Sequence, residues 1–286
     1  MQMTEHGTYT GRFAPSPSGP LHFGSMVAAL GSYLDARHHR GRWLLRIEDV
    51  DRPRVVAGAE DSILRTLETF GLEWDGTIVR QRDREPAYAE ALRCLKADGR
   101  VFACACSRRE IADSLLASDG THRYPGTCRN GLPPGRAARA WRFRATPGEV
   151  SFDDLVQGRI CEDVDADVGD FVLLRADGVF AYQLAVVVDD DDAGVTHVVR
   201  GADLIGSTCR QILLQRSLGA LTPRYMHLPV AVNPAGEKLS KQTLATSVDV
   251  LPPATVMFRV LEFLGQSPPP LLEHEEIATI RKWAID

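Results

Sequence analysis

A rigid loop near the start of the chain has the composition of an anion-binding site. The segment RFAPSPSGPLHFGS, residues 12–25, follows a stretch that predicts a strand and precedes an amphipathic pattern that predicts a helix. Its three prolines restrict the backbone, and Gly19 and Gly24 let a ligand or a tight turn come close. The first turn of the helix offers backbone N–H groups and the positive end of the dipole. His22 lies in this turn, where an imidazole could contact a phosphate or a ribose.

A second segment with chemistry lies near the other end of the chain. GEKLSKQ, residues 236–242, follows the apolar stretch MHLPVAV, which predicts a last strand. Lys238 and Lys241 place two cations on one loop, where they could stabilise the charge that develops on a leaving pyrophosphate. Each segment also has an ordinary interpretation, as a strand-to-helix connection and as a solvated lysine pair. Their position at the first and last strand-to-helix corners favours a shared site.

The elements between these segments predict an α/β fold. Strands are indicated by TYTGRFAP and RWLLRIED, and helices by SMVAALGSYLDARHH, by AEDSILRTLETFGL and by residues 85–98. Residues 140–174 change to short alternating stretches, WRFRA, EVSFDDL and GDFVLLR, which predict antiparallel strands. The βα pattern resumes at Tyr182. We expect a doubly wound, Rossmann-like parallel sheet with an α+β insertion and a short C-terminal helical extension.

Four segments follow from this pattern. We expect residues 1–94 to form the first half of the Rossmann-like domain, 95–180 the insertion, 181–235 the second half of the Rossmann-like domain, and 236–286 the KLSKQ loop with a short helical extension.

Length and composition exclude several protein classes. The chain has 286 residues, a net charge of −5 and six cysteines, too few for a disulfide scaffold. No stretch approaches the about 18 apolar residues that a membrane-spanning helix needs, and the N-terminus lacks the order of a signal peptide. We expect a cytoplasmic protein, and a monomer.

The charge is unevenly distributed along the chain. Residues 80–144 carry 14 Lys and Arg against 7 Asp and Glu, although the whole chain is acidic. Such a segment could bind a phosphate backbone, or it could be an arginine-rich solvated surface. The acidic run Asp189–Asp192 could suggest a Mg²⁺ site, but its consecutive carboxylates diverge at a helix end, and we predict a solvated turn.

Four segments together resemble the class I aminoacyl-tRNA synthetases, whose signatures are HIGH and KMSKS. In the glutamyl branch of that family, the matching segments are RFAPSPSGPLHFGS, LLRIEDVDRPR, VTHVVRGADLIGST and KLSKQ. The resemblance runs from about Tyr9 to about Thr246. HFGS stands where the signature has HIGH, a replacement that is common in this branch. KLSKQ ends in Gln242 rather than serine, which leaves Lys241 in place.

The resemblance implies a particular activity. The chain continues for 36 residues beyond residue 250, so we expect no anticodon-binding domain of the kind found in discriminating glutamyl- and glutaminyl-tRNA synthetases. This is similar to a truncated branch in which L-glutamate is activated by ATP without tRNA and transferred to the queuosine base in the anticodon loop of tRNA-Asp. The basic segment 80–144 and the insertion would then contact the anticodon stem-loop.

The resemblance also implies roles for individual residues. Glu48 takes the α-amino group, Arg12 and Arg200 are carboxylate partners with a planar fork suited to bidentate binding, and Tyr182 offers a hydroxyl. The remaining residues expected at glutamate are Phe13, Ala14, Pro15 and Ser16. Catalysis is assigned to His22, Lys238 and Lys241, and ATP with Mg²⁺ to His22, Gly24, Ser25 and Lys241.

Three cysteines have a spacing that suits a structural metal. Cys104, Cys106 and Cys128 supply three thiols, and a tetrahedral zinc site needs a fourth ligand. Chemistry alone favours His122, because imidazole is a far commoner zinc ligand than phenolate, whereas the resemblance selects Tyr124. We predict Zn²⁺ on the three cysteines and Tyr124. Three buried thiols without metal are the alternative, and Cys94, Cys161 and Cys209 are expected in the core.

Three other functions remain open from the sequence. A small glutamyl-tRNA synthetase would charge the 3′ end of tRNA-Glu. A ligase with the same activation chemistry would use a small-molecule acceptor. A catalytically silent paralogue would bind RNA without activating an amino acid, although retention of His22, Glu48, Lys238 and Lys241 argues against it.

Overall fold

The computed structural model describes residues 8–112, 122–231 and 247–285, which form two compact units. The first unit takes the described residues up to 80, residues 195–204 and the described residues from 223 onward. The second takes the described residues of 81–194 together with 205–222. The segment boundaries expected from the sequence stay a prediction.

The described residues form short strands and helices that alternate along much of the chain. The strands are β1 (Thr10–Phe13), β2 (Arg42–Ile47), β3 (Val79–Arg80), β4 (Val101–Cys104), β5 (Ala140–Phe143), β6 (Val150–Asp154), β7 (Gly158–Glu162), β8 (Val172–Leu174), β9 (His197–Gly201) and β10 (Arg224–Leu228). The helices are α1 (Phe23–His38), α2 (Ala59–Thr69), α3 (Glu85–Ala97), α4 (Arg108–Ile111), α5 (Val164–Asp167), α6 (Tyr182–Asp192), α7 (Ile205–Leu218), α8 (Pro253–Phe263) and α9 (Ile277–Ile285). The strands and helices predicted near residues 10, 23, 42, 59 and 85 are confirmed.

The strands of the first unit pair in parallel, with β1, β2 and β3 in one sheet and β9 and β10 in another. β1 pairs with β2 from Thr10 opposite Arg42 to Phe13 opposite Leu45, β2 pairs with β3, and β9 pairs with β10, all parallel. The backbone N–H of Thr196 donates to the carbonyl of Thr10, which sets β9 beside β1. Open α/β sheets bind ligands at the carboxyl ends of their strands, which makes the ends of β1, β2 and β9 the expected place for a site. The α/β fold with a parallel sheet is confirmed.

The core of the first unit packs around Trp43 on β2. Trp43 is fully buried, and its indole N–H donates to the hydroxyl of Ser32 on α1 at 2.9 Å. Phe13 stacks on the indole and Tyr33 meets it edge-on, with ring centroids 6.1 and 5.1 Å away. All four residues of β1 and four of the six residues of β2 are buried, as in strands covered on both faces. The position of the loop after β1 is thus set by a rigid core.

Gly41, just before β2, lies so close to Tyr9 that a residue with a Cβ does not fit there. A Cβ at Gly41 would lie 2.5 Å from the carbonyl oxygen of Tyr9 and 2.6 Å from its Cβ. The Gly41 N–H bonds the carbonyl of Ala36, which ends α1 and leads directly into β2. Any larger residue there would push β2 away from the start of β1.

The second unit contains two antiparallel arrangements and a group of helices. β5 lies between β4 and β8, and β6 forms a hairpin with β7. α3, α6 and α7 pack against one another. The antiparallel strands predicted from the alternating texture of residues 140–174 are confirmed.

The prediction of a solvated turn for the acidic run at the end of α6 is wrong for Asp189 and Asp190, whereas Asp191 and Asp192 are exposed. Asp189 and Asp190 are 3% and 7% exposed. Asp189 accepts hydrogen bonds from Gln81 Nε2 at 2.9 Å, Arg84 Nε at 3.1 Å and the Tyr88 hydroxyl at 2.7 Å. Because Arg84 and Tyr88 are four residues apart, the start of α3 presents both donors on one side, and a buried carboxylate is tolerated where it is paired.

The cysteines outside the thiol cluster differ from one another in burial. Cys209 on α7 is buried, as predicted, but Cys94 is partly buried and Cys161 is exposed. The prediction of a core position is therefore wrong for Cys161. Most residues of β7 are open to solvent, because that strand pairs with β6 on one side and its alternate side chains point outward.

Among the residues described, no helix combines the length and the apolar character needed to cross a bilayer.

We predict that Asp189→Ala lowers the free energy of unfolding by about 3 kcal/mol, because it removes the acceptor of the buried Gln81 and Tyr88 donors and one of the two carboxylates that pair with Arg84. Urea unfolding followed by circular dichroism measures this. Asp191→Ala is the matched control, since Asp191 lies on the same helix and is exposed, and it should change stability by about 0.5 kcal/mol at most. Equal effects of the two substitutions would contradict the assignment.

Candidate active site and thiol cluster

The loop after β1 is tied by its backbone to the chain that leaves β2. The carbonyl of Pro15 accepts the N–H of Glu48 at 3.0 Å, and the carbonyl of Pro17 accepts the N–H of Val56 at 2.9 Å. Gly19 has φ 141°, a conformation that glycine adopts without strain. The proline-rich segment is therefore held in place by backbone hydrogen bonds at the carboxyl ends of β1 and β2.

His22 ends this loop as the N-cap residue of α1. Its Nδ1 accepts the backbone N–H of Ser25 at 3.3 Å. In a neutral ring, the proton then lies on Nε2, where it can be donated to a ligand oxygen. Gly24 and Ser25 belong to the first turn of α1, so the predicted phosphate-binding residues lie at a helix N-terminus.

Glu48 follows β2 directly and lies beside a buried arginine. Arg46 Nη2 is 3.3 Å from Glu48 Oε1, and their side chains are 4% and 11% exposed. A carboxylate so nearly buried needs a cationic neighbour, and it retains lone pairs for a second one. The arrangement can therefore hold an ammonium group at the carboxyl end of β2.

Arg12 and Arg200 are the next-to-last residues of β1 and β9, and both are buried, with 4% and 5% exposure. Arg200 Nε–H donates to Nε2 of His227 on β10 at 3.0 Å. His227 is fully buried, and its Nε2 must be unprotonated to accept this bond. A buried histidine thus fixes the plane of the Arg200 guanidinium.

Sequence reasoning missed both Arg46 and His227. Each is a polar residue inside an apolar strand pattern, RWLLRI and RYMHL. That pattern is a usable signal, because a buried polar side chain needs a partner. The identity of the partner depends on the neighbouring strand and is absent from the pattern.

The other predicted site residues are placed as follows. Phe13 is 6% exposed and packs in the core, so any contact with a ligand falls to its backbone. Pro15 is buried, Ala14 is half-buried and Ser16 is exposed. Tyr182 begins α6 in the second unit. Lys238 and Lys241 lie outside the described residues.

A separate cluster of thiols lies in the second unit. The sulfur atoms of Cys104, Cys106 and Cys128 all lie within 4.8 Å of one another, and those of Cys106 and Cys128 are 3.7 Å apart. Cys104 ends β4, and Cys128 is 1% exposed. Three thiols this close are positioned to bind one ion without rearrangement of the backbone.

The hydroxyl of Tyr124 completes the cluster. It lies 3.4 Å from Cys104 Sγ and 3.6 Å from Cys106 Sγ, and it accepts the N–H of Cys128 at 2.8 Å. Tyr124 is 5% exposed, whereas His122 is exposed. The three sulfurs and one oxygen make a compact four-ligand group, and it could hold a metal ion.

The thiols of this cluster differ in acidity. Burial raises the pKa of the Cys106 thiol. Burial also acts to raise the pKa of the Cys128 thiol, but hydrogen bonds from the Ala105 N–H, Tyr124 and the neighbouring thiols lower it overall. Burial and the neighbouring thiols raise the pKa of the Tyr124 hydroxyl. In this cluster the pKa of the Cys128 thiol is therefore lower than usual, and that of the Tyr124 hydroxyl is higher.

Comparison with known proteins agrees with this geometry. Residues 9–255 match the family described as tRNA synthetases class I (E and Q), catalytic domain. The chain is 64% identical to the glutamyl-Q tRNA(Asp) synthetase of Aromatoleum aromaticum, with 97% of this chain and 88% of that protein covered. It is 61% identical to the protein of the same name from Dechloromonas aromatica, with 96% and 92% covered.

A solved structure shows the same fold. The glutamate tRNA ligase of Elizabethkingia meningosepticum, solved in complex with its amino acid, matches with a TM-score of 0.73 and 28% identity. The match covers 82% of this chain and 52% of that structure, so this chain spans about half the length of that ligase. The chain belongs to the class I glutamyl- and glutaminyl-tRNA synthetase family and, within it, to the glutamyl-Q tRNA(Asp) synthetases.

Proposed function

We propose that the chain activates L-glutamate with ATP in the absence of tRNA and then transfers the glutamyl group to the queuosine base in the anticodon loop of tRNA-Asp. The observation that supports the activation step is the position of Arg12, Glu48 and Arg200 at the carboxyl ends of β1, β2 and β9. The choice of acceptor is supported by relatives of that name at 61% and 64% identity.

The proposed site recognises glutamate with two cationic side chains and one anionic side chain. Arg12 and Arg200 bind the two carboxylates of the substrate, and Glu48 binds its ammonium group. Arg200 is buried and held by His227, so it cannot turn to water if a neutral ligand is bound. A glutamine side chain would leave a buried guanidinium without its anion, and this penalty selects glutamate.

Activation is an in-line attack of the α-carboxylate oxygen on the α-phosphorus of ATP, which forms glutamyl adenylate and releases pyrophosphate. His22 Nε2–H and the N–H groups of the first turn of α1 bind phosphate oxygens. Lys238 and Lys241, predicted from the sequence, stabilise the departing pyrophosphate. Mg²⁺ bound with ATP neutralises phosphate charge. A hydroxyl of the acceptor nucleoside then attacks the adenylate carbonyl, and AMP leaves.

The thiol cluster is proposed as a structural zinc site with the ligands Cys104, Cys106, Tyr124 and Cys128. Sulfur-rich four-ligand sets are typical of structural zinc, and all four donor atoms are already close together. When bound, the ion would link β4 to the segment around Tyr124 and Cys128. The same unit carries most of the basic segment 80–144, which we propose contacts the phosphates of the anticodon stem-loop.

We predict glutamate-dependent ATP–pyrophosphate exchange by the purified chain with no tRNA present. Labelled glutamate should then appear on tRNA-Asp that contains queuosine, and neither on tRNA-Asp that lacks it nor on tRNA-Glu. Labelling of tRNA-Glu would show a small glutamyl-tRNA synthetase. Exchange with no labelled tRNA would indicate a small-molecule acceptor, and RNA binding without exchange a catalytically silent protein.

We predict that Arg200→Ala lowers kcat/KM for glutamate in the exchange assay by about 100-fold, because charge-assisted hydrogen bonds contribute up to about 3 kcal/mol. Arg224→Ala is the control, since Arg224 lies on the adjacent β10 and is exposed, and it should leave the exchange unchanged. Thermal melting of both variants separates a loss of binding from a loss of folding. An unchanged KM for glutamate in Arg200→Ala would refute the assigned role.

The fourth metal ligand is tested by Tyr124→Phe and His122→Ala. We predict that Tyr124→Phe loses zinc to a chelator under conditions in which His122→Ala retains one ion per chain, because only the Tyr124 oxygen lies near the sulfurs. Metal content after dialysis is measured by mass spectrometry. The opposite result would make His122 the ligand.

A further inference from the structure

Arg142, on β5, lies against the thiol cluster. Its Nε–H donates to Cys104 Sγ at 3.4 Å, and its Nη1 donates to the carbonyl oxygen of Asp170 at 3.0 Å. The guanidinium carbon is 4.0 Å from the centroid of the Tyr124 ring. One side chain therefore contacts two of the four proposed metal ligands and is itself fixed by a backbone carbonyl.

The charge of Arg142 is not neutralised by a carboxylate among the described residues, unlike the charges of Arg129 and Arg136. Arg136 pairs with Glu110 at 2.6 Å, and Arg129 pairs with Asp170. The hydrogen-bond acceptors of the Arg142 side chain are a sulfur and a carbonyl, and its other contact is an aromatic ring. The cluster itself is thus the nearest candidate for its counter-ion.

A metal on this cluster would need such a counter-ion. Three thiolates around a divalent cation leave a net negative charge, and a phenolate would add to it. Cys104 is fully buried and Cys128 is 1% exposed, so water can do little to stabilise that charge. An adjacent guanidinium, which carries a positive charge, offsets it.

We propose that Arg142 is a positioning residue of the metal site: its bond to Cys104 Sγ and its stacking on Tyr124 hold both ligands in place and offset the negative charge of the occupied site. This inference rests on the proposed zinc ligands. Partners that bond to metal ligands from outside typically change metal affinity by 10- to 100-fold.

Arg144, which directly follows β5, provides a matched control. It follows Arg142 by two residues and also lies over an aromatic ring, that of Phe102, at 5.1 Å. Its Nη2 donates to the carbonyl of Arg129 at 2.8 Å. Among the described residues it contacts no cysteine sulfur, so Arg144→Met removes a stacked arginine without touching a ligand.

The test compares Arg142→Met, Arg142→Lys and Arg144→Met with the unaltered full-length chain. Zinc affinity is measured by competition with a chromophoric chelator, and the thiolate-to-metal charge-transfer band is recorded after replacement of zinc by Co²⁺. We expect Arg142→Met to weaken zinc binding by about 10-fold or more and to move the band to longer wavelength, because the sulfur loses its hydrogen bond. Arg142→Lys should recover part of the affinity, and Arg144→Met should match the unaltered chain.

The outcomes separate this inference from the zinc proposal. If the unaltered chain holds no zinc, the proposed ligand set fails. If it holds zinc, and Arg142→Met has the affinity and the cobalt spectrum of Arg144→Met, the role of Arg142 is refuted. Should Arg142→Met fail to fold, Arg142→Gln replaces it, and unchanged zinc affinity in that variant overturns the inference equally.

Discussion

The parallel pairing of β1 with β2 is the constraint on which the candidate active site depends. Because the strands run in the same direction, the chain leaves both of them at one edge of the sheet. Pro15 and Glu48 meet there through a backbone hydrogen bond of 3.0 Å. The backbone of Thr196, just before β9, bonds to Thr10 on β1, and Arg200 is the next-to-last residue of β9. The two cations and the carboxylate of the proposed glutamate site come from the ends of these strands.

Several charged side chains are buried in this protein. In the cases of Arg200 and Asp189, a neighbouring strand or helix supplies their hydrogen-bond partners. Arg200 is held by His227 on the next strand, and Asp189 by donors at the start of α3. In a medium of low dielectric constant, an ionised side chain costs several kcal/mol unless it is paired, so each pair also fixes the elements that carry it. Rigid placement of charged groups is what a site that binds by charge requires.

Segments of this chain differ in how far the sequence could predict their structure. The loop from Arg12 to Ser25 was recognisable because local chemistry, prolines followed by a capping histidine and a helix, sets its conformation. The acidic run Asp189–Asp192 was misread because local composition suggests solvation, whereas the donors of Asp189 come from residues more than a hundred positions away. Arg142 carried no local signal either, since its contact with Cys104 arises from the pairing of β4 with β5.

The sequence by itself determined the element types, the proline-rich loop before α1 and the spacing of the cysteines, because propensities, caps and short motifs act over a few residues. Tertiary structure alone decided which partner each buried polar side chain has. It placed Tyr124 rather than His122 beside the thiols, His227 behind Arg200, and Arg142 against Cys104. These contacts join residues that are distant in sequence, and their geometry is set by strand pairing and core packing, which no local pattern encodes.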